Sequence, residues 1–195
     1  MKKCTQFIVL FFLLAIFSCA SSKVNKYGLT RDNPFKILDS TELAKENRFY
    51  SIKKPKNWYA FVEPHGGLYY APEKLKNQAP INFKSFVGFA LKENKKNKLK
   101  NINDYVNASI KKLKKTYKNF NYQQIETKHE KYGKSIVLRF ISSSWNDKNI
   151  KYKTANLYLF YKNKCYLIRY RSTLDNFDEF VPDVEKMIKS FKIKE

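Results

Sequence analysis

Residues 134–171 read KSIVLRFISSSWNDKNIKYKTANLYLFYKNKCYLIRYR, and this stretch decides the fold. It contains three runs in which neighbouring side chains alternate in type, separated by the polar segments 146–149 and 162–164. Alternation with a period of two is typical of β-strands, and short polar segments between such runs predict turns. With the similar run at 122–130, the pattern predicts an antiparallel meander. Apolar residues stand on both faces of these runs, so we expect the sheet to be covered on both sides.

A helix is predicted before this meander and another after it. The first has an apolar stripe at helical spacing, and Asn103 or Asp104 is expected to cap it. The second has Pro182 within its first turns, where the missing N–H of proline is tolerated. Upstream, strands are predicted at 49–52, 59–62, 68–71 and 85–91. The fold class is therefore α+β: one domain with an antiparallel β-sheet flanked by helices.

The N-terminus carries a short basic and apolar segment. Lys2 and Lys3 precede an apolar run at 7–17, and Ser18 stands immediately before Cys19. The run is well short of the ~20 residues that a membrane-spanning helix needs. The segment resembles a bacterial lipoprotein signal peptide with its lipobox, which implies cleavage after Ser18 and acylation of Cys19. An ordinary cleaved signal peptide, which would leave Cys19 as a free thiol, is the alternative.

This reading divides the chain into three parts. They are a signal peptide at 1–18, a tether at 19–46 and a domain at 47–195. The tether is polar apart from a short apolar cluster at Phe35, Ile37 and Leu38, which predicts one turn or edge segment docked on the domain. The expected location is the cell envelope, with the protein anchored to a membrane and facing the periplasm or the exterior.

The order of elements, together with "FYSIKKPKNW" at 49–58 and "FDEFVPDVEKMIKSF" at 177–191, resembles the PsbP-like superfamily. That superfamily includes DcrB-type envelope lipoproteins. The resemblance covers residues 47–195 and rests on packing motifs. It implies a PsbP-like α/β/α sandwich and a non-catalytic accessory role close to a membrane.

The net charge is strongly positive. The chain has 39 Lys plus Arg against 17 Asp plus Glu, a net charge of +22, which becomes +20 when Lys2 and Lys3 are removed. Such a charge favours anionic partners. Export from the cytoplasm excludes nucleic acid, so the expected partners are an anionic lipid, an anionic glycan or an acidic protein. Whether the basic surface is functional or a merely solvated face stays open at this stage.

Two groups of basic residues are candidate anion-binding sites. One group lies on the predicted first helix and comprises Lys111, Lys112, Lys114, Lys115 and Lys118. The other is the pair Arg169 and Arg171, which alternation places on one strand face. The alternatives are that the lysines form the solvated side of an amphipathic helix, and that the arginines pair with acids of the terminal helix.

No catalytic or metal-binding constellation can be assembled from the sequence. The chain has two histidines, His65 and His129, with neither the cysteine pairs nor the spacing of a metal site, and Cys165 is expected to be a small buried hydrophobic residue. No metal, no cofactor and no enzymatic activity are expected. The predicted function is a membrane-anchored, non-catalytic binding or accessory module. The alternative is a small-ligand carrier or hydrolase that uses the His65 loop with Arg169 and Arg171.

Overall fold

The computed structural model of the protein describes residues 29, 35–46, 49–63, 67–76, 85–92, 99–118, 120–144 and 148–194. The predicted signal peptide, Cys19 and His65 lie outside these residues. None of the described helices is both long and apolar enough to span a membrane.

The described residues form ten strands and three α-helices. The strands are β1 (Lys36–Leu38), β2 (Tyr50–Ser51), β3 (Trp58–Val62), β4 (Leu68–Pro72), β5 (Ser85–Lys92), β6 (Tyr122–His129), β7 (Gly133–Ser143), β8 (Lys151–Tyr161), β9 (Lys164–Thr173) and β10 (Lys192–Ile193). The helices are α1 (Ser40–Glu46), α2 (Ile102–Thr116) and α3 (Leu174–Ser190). Eight strands form one sheet in the order β1-β3-β4-β5-β9-β8-β7-β6, and β2 pairs with β10 apart from it.

The predicted meander is confirmed as the antiparallel strands β6 to β9. Lys162 and Asn163 join β8 to β9 with φ values of 48° and 58°. Positive φ at both central residues is the requirement of the tight hairpin turn that suits twisted strands. Tyr161 therefore pairs with Lys164, and Asn156 pairs with Arg169 further along the hairpin.

Both faces of the sheet are covered, as the sequence predicts. Helix α2 packs its apolar side on β7, β8 and β9, against Leu138, Tyr158 and Leu167. Helix α3 packs on the opposite face, where Phe180 and Met187 belong to the larger core cluster. Strand alternation supplies both layers, because successive residues of β7, β8 and β9 point to opposite faces. The α+β class with an antiparallel sheet between helices is therefore confirmed.

The start of α2 differs from the prediction. Its cap is Asn101, not Asn103 or Asp104: the Asn101 side chain accepts a hydrogen bond from the Asp104 backbone N–H, 3.1 Å away. The Asp104 carboxylate accepts in return from the Asn101 N–H, which completes a capping box. The spacing of the apolar residues predicts the body of the helix. It does not indicate which of the polar residues before the helix acts as the cap.

The start of α3 also differs from the prediction. The helix begins at Leu174, so Pro182 lies in its interior rather than in its first turns. The next residue, Asp183, accepts a hydrogen bond of 3.1 Å from the indole Nε1–H of Trp58. The buried side chain of Met187 belongs to the apolar face as well, although the predicted face did not include it.

Part of the predicted tether belongs to the sheet. The expected edge segment is strand β1, which pairs antiparallel with β3. Helix α1 follows it, and the side chains of Leu29 and Leu38 lie in the same core cluster as Trp58. Strand β2, predicted as the first strand of the domain, pairs with the C-terminal β10 and not with the large sheet.

Replacing Leu38 with Ala tests the contribution of β1 to the fold. Leu38 is 7% exposed, whereas its neighbour Ile37 is 36% exposed. Because Leu38 fills the core, Leu38→Ala is expected to lower the free energy of unfolding by about 2–4 kcal/mol. Ile37→Ala is the control and is expected to cost less than about 1 kcal/mol. Chemical denaturation measures both. Equal losses would show that β1 does not close the core.

Replacing Asn101 with Ala tests the capping box of α2. Loss of the cap is expected to lower the free energy of unfolding by about 1 kcal/mol. Asn107→Ala, at an exposed position inside the same helix, is the matched control and is expected to leave stability unchanged or slightly raised, since Ala favours helix. If the two variants have the same stability, the cap contributes nothing.

Candidate functional site

A crevice of about 230 Å³ lies between α2 and the sheet, and it brings together three of the predicted basic residues. Arg169 and Arg171 enter it from β9, because they share a strand face with Leu167, on which α2 packs. Lys112 enters it from α2. The other lining residues are uncharged: Ser109, Leu113, Thr116, Tyr117, Phe140, Ser142, Thr154, Asn156 and Tyr158.

Arg169 is held by a neutral partner. Its Nε–H donates a hydrogen bond of 2.9 Å to Oδ1 of Asn156, which is its register partner on β8. On the other side, Arg169 is paired in register with Gly88 of β5. The ring of Tyr69 packs over Gly88 so closely that a Cβ there would lie 2.8 Å from the Tyr69 Cδ1 atom. Among the described residues, the hydrogen-bond partner of the Arg169 guanidinium is thus an amide and not a carboxylate.

Arg171 is held by stacking. Its guanidinium carbon lies 3.8 Å from the centroid of the Tyr152 ring, a cation–π arrangement. The Nε atom is buried and has no hydrogen-bond partner. Burial lowers the pKa of Arg171, and the nearby Arg169 acts in the same direction, whereas Tyr152 and Tyr117 act against it. An arginine stays protonated at neutral pH all the same, so the crevice holds a desolvated positive charge.

The alternative that these arginines pair with acids of the terminal helix is wrong. Helix α3 packs on the face of the sheet that carries Ile168 and Tyr170, and the odd-numbered arginines point to the other face. Two acids of α3 have other partners: Asp178 pairs with Lys153 at 3.1 Å, and Glu179 pairs with Lys74. No acidic residue is among the described residues that line the crevice.

The five lysines of the α2 region are all exposed, but only one of them lines the crevice. Lys112 lines the crevice, and the Nζ atom of Lys114 lies 5.8 Å from the centroid of the Tyr122 ring, on the side of β6. The other three, Lys111, Lys115 and Lys118, are exposed. Lys111 and Lys115 are four residues apart and lie on the same side of the helix, whereas Lys112 points about 100° from Lys111. Lys112 is thus the one member of the group that shares a cavity with the two arginines.

Histidine and cysteine chemistry is structural in the described part of the chain. His129 accepts a hydrogen bond at Nδ1 from the Lys131 N–H, 3.2 Å away, so its Nε2–H donates to the Ile188 carbonyl oxygen at 3.1 Å. Cys165 is fully buried, as predicted. Among the described residues, no group of three or more His, Cys, Asp and Glu side chains could hold a metal ion.

Sequence reasoning missed the residues that hold the arginines, namely Asn156 and Tyr152. The alternation of β8 indicates them: Tyr152, Thr154 and Asn156 share one face of the strand, and all three side chains carry polar groups. Their position opposite the arginines depends on the register of the β8–β9 hairpin. The sequence segment 162–164 suggested three turn residues, whereas the turn has two, and a shift of one residue moves every side chain to the other face.

Comparison with solved structures identifies proteins of similar fold. The chain is similar to LpqN of Mycobacterium tuberculosis, described as involved in cell envelope biogenesis, at a TM-score of 0.51 and 10% identity, covering 85% of this chain and 94% of LpqN. It is also similar to the cyanobacterial PsbP of Synechocystis sp. PCC 6803, at a TM-score of 0.47 and 10% identity, covering 83% and 93%. The sequence matches no protein-family profile and no curated protein. At this identity the likeness to LpqN shows the fold alone.

Alkaline pH tests the surroundings of Tyr69. Burial and the neighbouring Glu63 raise the pKa of Tyr69 to about 12, although Arg169 acts in the opposite direction. An unfolded tyrosine titrates at about 10. The folded protein therefore retains this proton longer, and its stability is full below pH ~10 and is lost as the pH rises towards ~12. In Tyr69→Phe, the fall in the free energy of unfolding between these values is expected to be shallower.

The measurement is urea unfolding at several alkaline pH values. Tyr122→Phe is the control, because Tyr122 is exposed on the edge strand β6. Its stability is expected to follow that of the parent protein throughout this range. If Tyr69→Phe loses stability with pH as steeply as the parent protein does, then Tyr69 does not have the raised pKa.

Proposed function

We propose that this protein is a lipid-anchored, extracytoplasmic and non-catalytic binding module, whose α2 crevice receives one anionic group of a cell-envelope component. A single observation carries the proposal. Arg169, Arg171 and Lys112 converge on one crevice, and none of the described residues that line it is acidic. The Nε–H of Arg171 is a buried donor without a partner.

This arrangement of positive charges is unfavourable as long as the crevice holds no anion. Taking a charge out of water is unfavourable by several kcal/mol unless the charge is paired. The two neighbouring guanidinium groups also repel each other, and each makes the burial of the other less favourable. An anion in the crevice would remove both penalties and would form charge-assisted hydrogen bonds, which are stronger than neutral ones.

The size of the crevice narrows the class of partner. About 230 Å³ is below the usual ~300–1,000 Å³ of sites that enclose a whole small molecule. Such a space suits one phosphate or carboxylate group with its ester or sugar neighbour outside. An anionic lipid headgroup or an envelope glycan meets this description better than the broad surface of an acidic protein does.

The location in the envelope rests on separate support. The resemblance of residues 1–19 to a lipoprotein signal peptide implies an anchor at Cys19. The similar fold of LpqN, a protein involved in cell envelope biogenesis, is compatible with the same compartment. The alternative of a small-ligand carrier or hydrolase needs His65, and no observation on the described residues favours that alternative.

Co-sedimentation with lipid vesicles tests the proposal. The protein should begin at residue 20, so that Leu29, β1 and α1 remain. Vesicles of phosphatidylcholine with and without phosphatidylglycerol are compared at low and high salt. The parent protein is expected to bind the anionic vesicles, and Arg169→Gln/Arg171→Gln is expected to bind at least about tenfold more weakly, since charged pairs of this kind contribute ~1.5–3 kcal/mol each.

The control is Lys111→Gln/Lys115→Gln, which removes the same number of positive charges from exposed positions of α2. If the crevice binds the headgroup, this variant keeps most of its affinity. Equal losses in the two variants would mean that a diffuse basic surface is responsible, and an unchanged affinity in the arginine variant would refute the crevice. Inorganic phosphate tests whether the phosphate group alone is recognised or a whole lipid headgroup is needed. If the phosphate group is sufficient, inorganic phosphate should raise the Tm of the parent protein but not that of the arginine variant.

A further inference from the structure

A second cavity lies on the opposite face of the sheet, between α3 and strands β6 to β9. Its volume is about 450 Å³, within the ~300–1,000 Å³ of small-molecule sites. Its middle is apolar, because Val137, Ala155 and Leu157 form the floor and Val181 and Val184 of α3 form the wall. The helix covers β9 and β8 and leaves this space where it passes towards β7 and β6. One end is closed by the hydrogen bond between His129 and the Ile188 carbonyl.

Ser135 supplies an independent sign that the cavity is a binding site. Its side chain is 1% exposed, lines the cavity, and its Oγ atom has no hydrogen-bond partner. A buried hydroxyl without a partner is unfavourable, and native structures rarely contain one without a reason. A purely structural floor would be better served by alanine at this position. The hydroxyl therefore indicates a polar group that enters the cavity from outside.

The charges of the cavity differ along its length. Ser135 and Arg139 point to the same face of β7, four residues apart, which is about 13 Å along the strand. Lys128, Glu130, Glu185 and Lys189 also line the cavity, and their two positive and two negative formal charges cancel. Arg139 lies six residues along β7 from Gly133, the register partner of His129, and it is exposed. It has no ion pair within the described part of the chain. One end of the cavity thus has the hydroxyl of Ser135, and the other end has the positive charge of Arg139. The floor between them is apolar.

From this order of groups we infer that the cavity binds a medium-chain acyl carboxylate carrying a second polar group towards its far end. The carboxylate lies at Arg139, the aliphatic chain lies over Val137, Ala155 and Leu157, and the far polar group bonds to Ser135 Oγ. Burial of the chain provides most of the affinity, and the two polar contacts set its direction. The site is separate from the α2 crevice, because it lies on the other face of the sheet. An experiment can therefore disprove one of the two sites without affecting the other.

Two probes and three variants test this assignment. Isothermal titration compares dodecanoate with 12-hydroxydodecanoate, both below their micelle-forming concentrations, against the protein from residue 20. The parent protein is expected to bind both in a one-to-one ratio and to bind the hydroxylated probe about fivefold more tightly, the usual effect of one neutral hydrogen bond. Ser135→Ala is expected to abolish that preference while it still binds dodecanoate. Arg139→Gln is expected to lower the affinity for both probes by about the same factor.

Filling the cavity supplies the steric test. Ala155→Ile places a larger side chain on the floor and is expected to weaken both probes at least about tenfold. Ala90→Ile is its matched control, because Ala90 is an exposed alanine of β5 on the face that carries Leu167. Circular dichroism and the Tm confirm that each variant is folded.

The outcomes are distinguishable. No binding of either probe by the folded parent protein overturns the inference. Binding that Ala155→Ile leaves intact places the probes elsewhere and also overturns it. A preference for the hydroxylated probe that persists in Ser135→Ala removes the role of the hydroxyl. Tight binding of dodecylammonium would contradict the positive end. Loss of vesicle binding in the arginine crevice variant, with probe affinity unchanged, confirms that the two sites are independent.

Discussion

The register of the β8–β9 hairpin is the constraint on which the rest of the structure depends. Lys162 and Asn163 turn the chain with positive φ, and from that turn onward every pair of residues on the two strands is set. The pairing places Leu167, Arg169 and Arg171 on one face, and Ile168 and Tyr170 on the other. The packing of both helices depends on this arrangement, because α2 buries its apolar stripe against the first face and α3 buries its own apolar side against the second. A slip of one residue would place Ile168 and Tyr170 under α2 and the two arginines under α3, where they would interrupt the apolar core.

The same constraint explains why the two candidate sites lie back to back. Each helix is narrower than the sheet that it covers, so each leaves a space beside its line of contact. Under α2 that space falls on a polar part of β8 and β9, where Asn156 and Tyr152 hold two guanidinium groups without a carboxylate. Under α3 it falls on the apolar part of β7 and β8, with one orphaned hydroxyl at Ser135. A sheet with two different faces thus provides a charged crevice and an apolar cavity from the same strands, and neither site needs a loop for its construction.

Local patterns predicted most of this fold. The alternation of residues 134–171 predicted the meander, and the stripe at Val106, Ile110 and Leu113 predicted α2, since both depend on interactions within a short span of chain. Errors occurred at the ends of elements. Asn101 caps α2 two residues before the predicted position, and α3 starts at Leu174 and so places Pro182 in its interior. Element ends depend on one or two polar contacts, and those contacts leave almost no trace in the periodicity of apolar residues. The partner of β2 was unpredictable for another reason: it is β10, at the far end of the chain.

For the candidate sites, sequence and tertiary structure contributed different parts. The sequence by itself determined that the protein is strongly basic, that Arg169 and Arg171 share a strand face, and that the first 19 residues resemble a lipoprotein signal, because composition, alternation and a contiguous motif are properties of the chain alone. Only the tertiary structure decided that Lys112 faces those arginines while the acids of α3 do not, and that Ser135 lies without a partner at the floor of a cavity. These facts concern residues that are distant in the sequence. They follow from the register of the strands and from the side on which each helix packs, and long-range packing energy sets both.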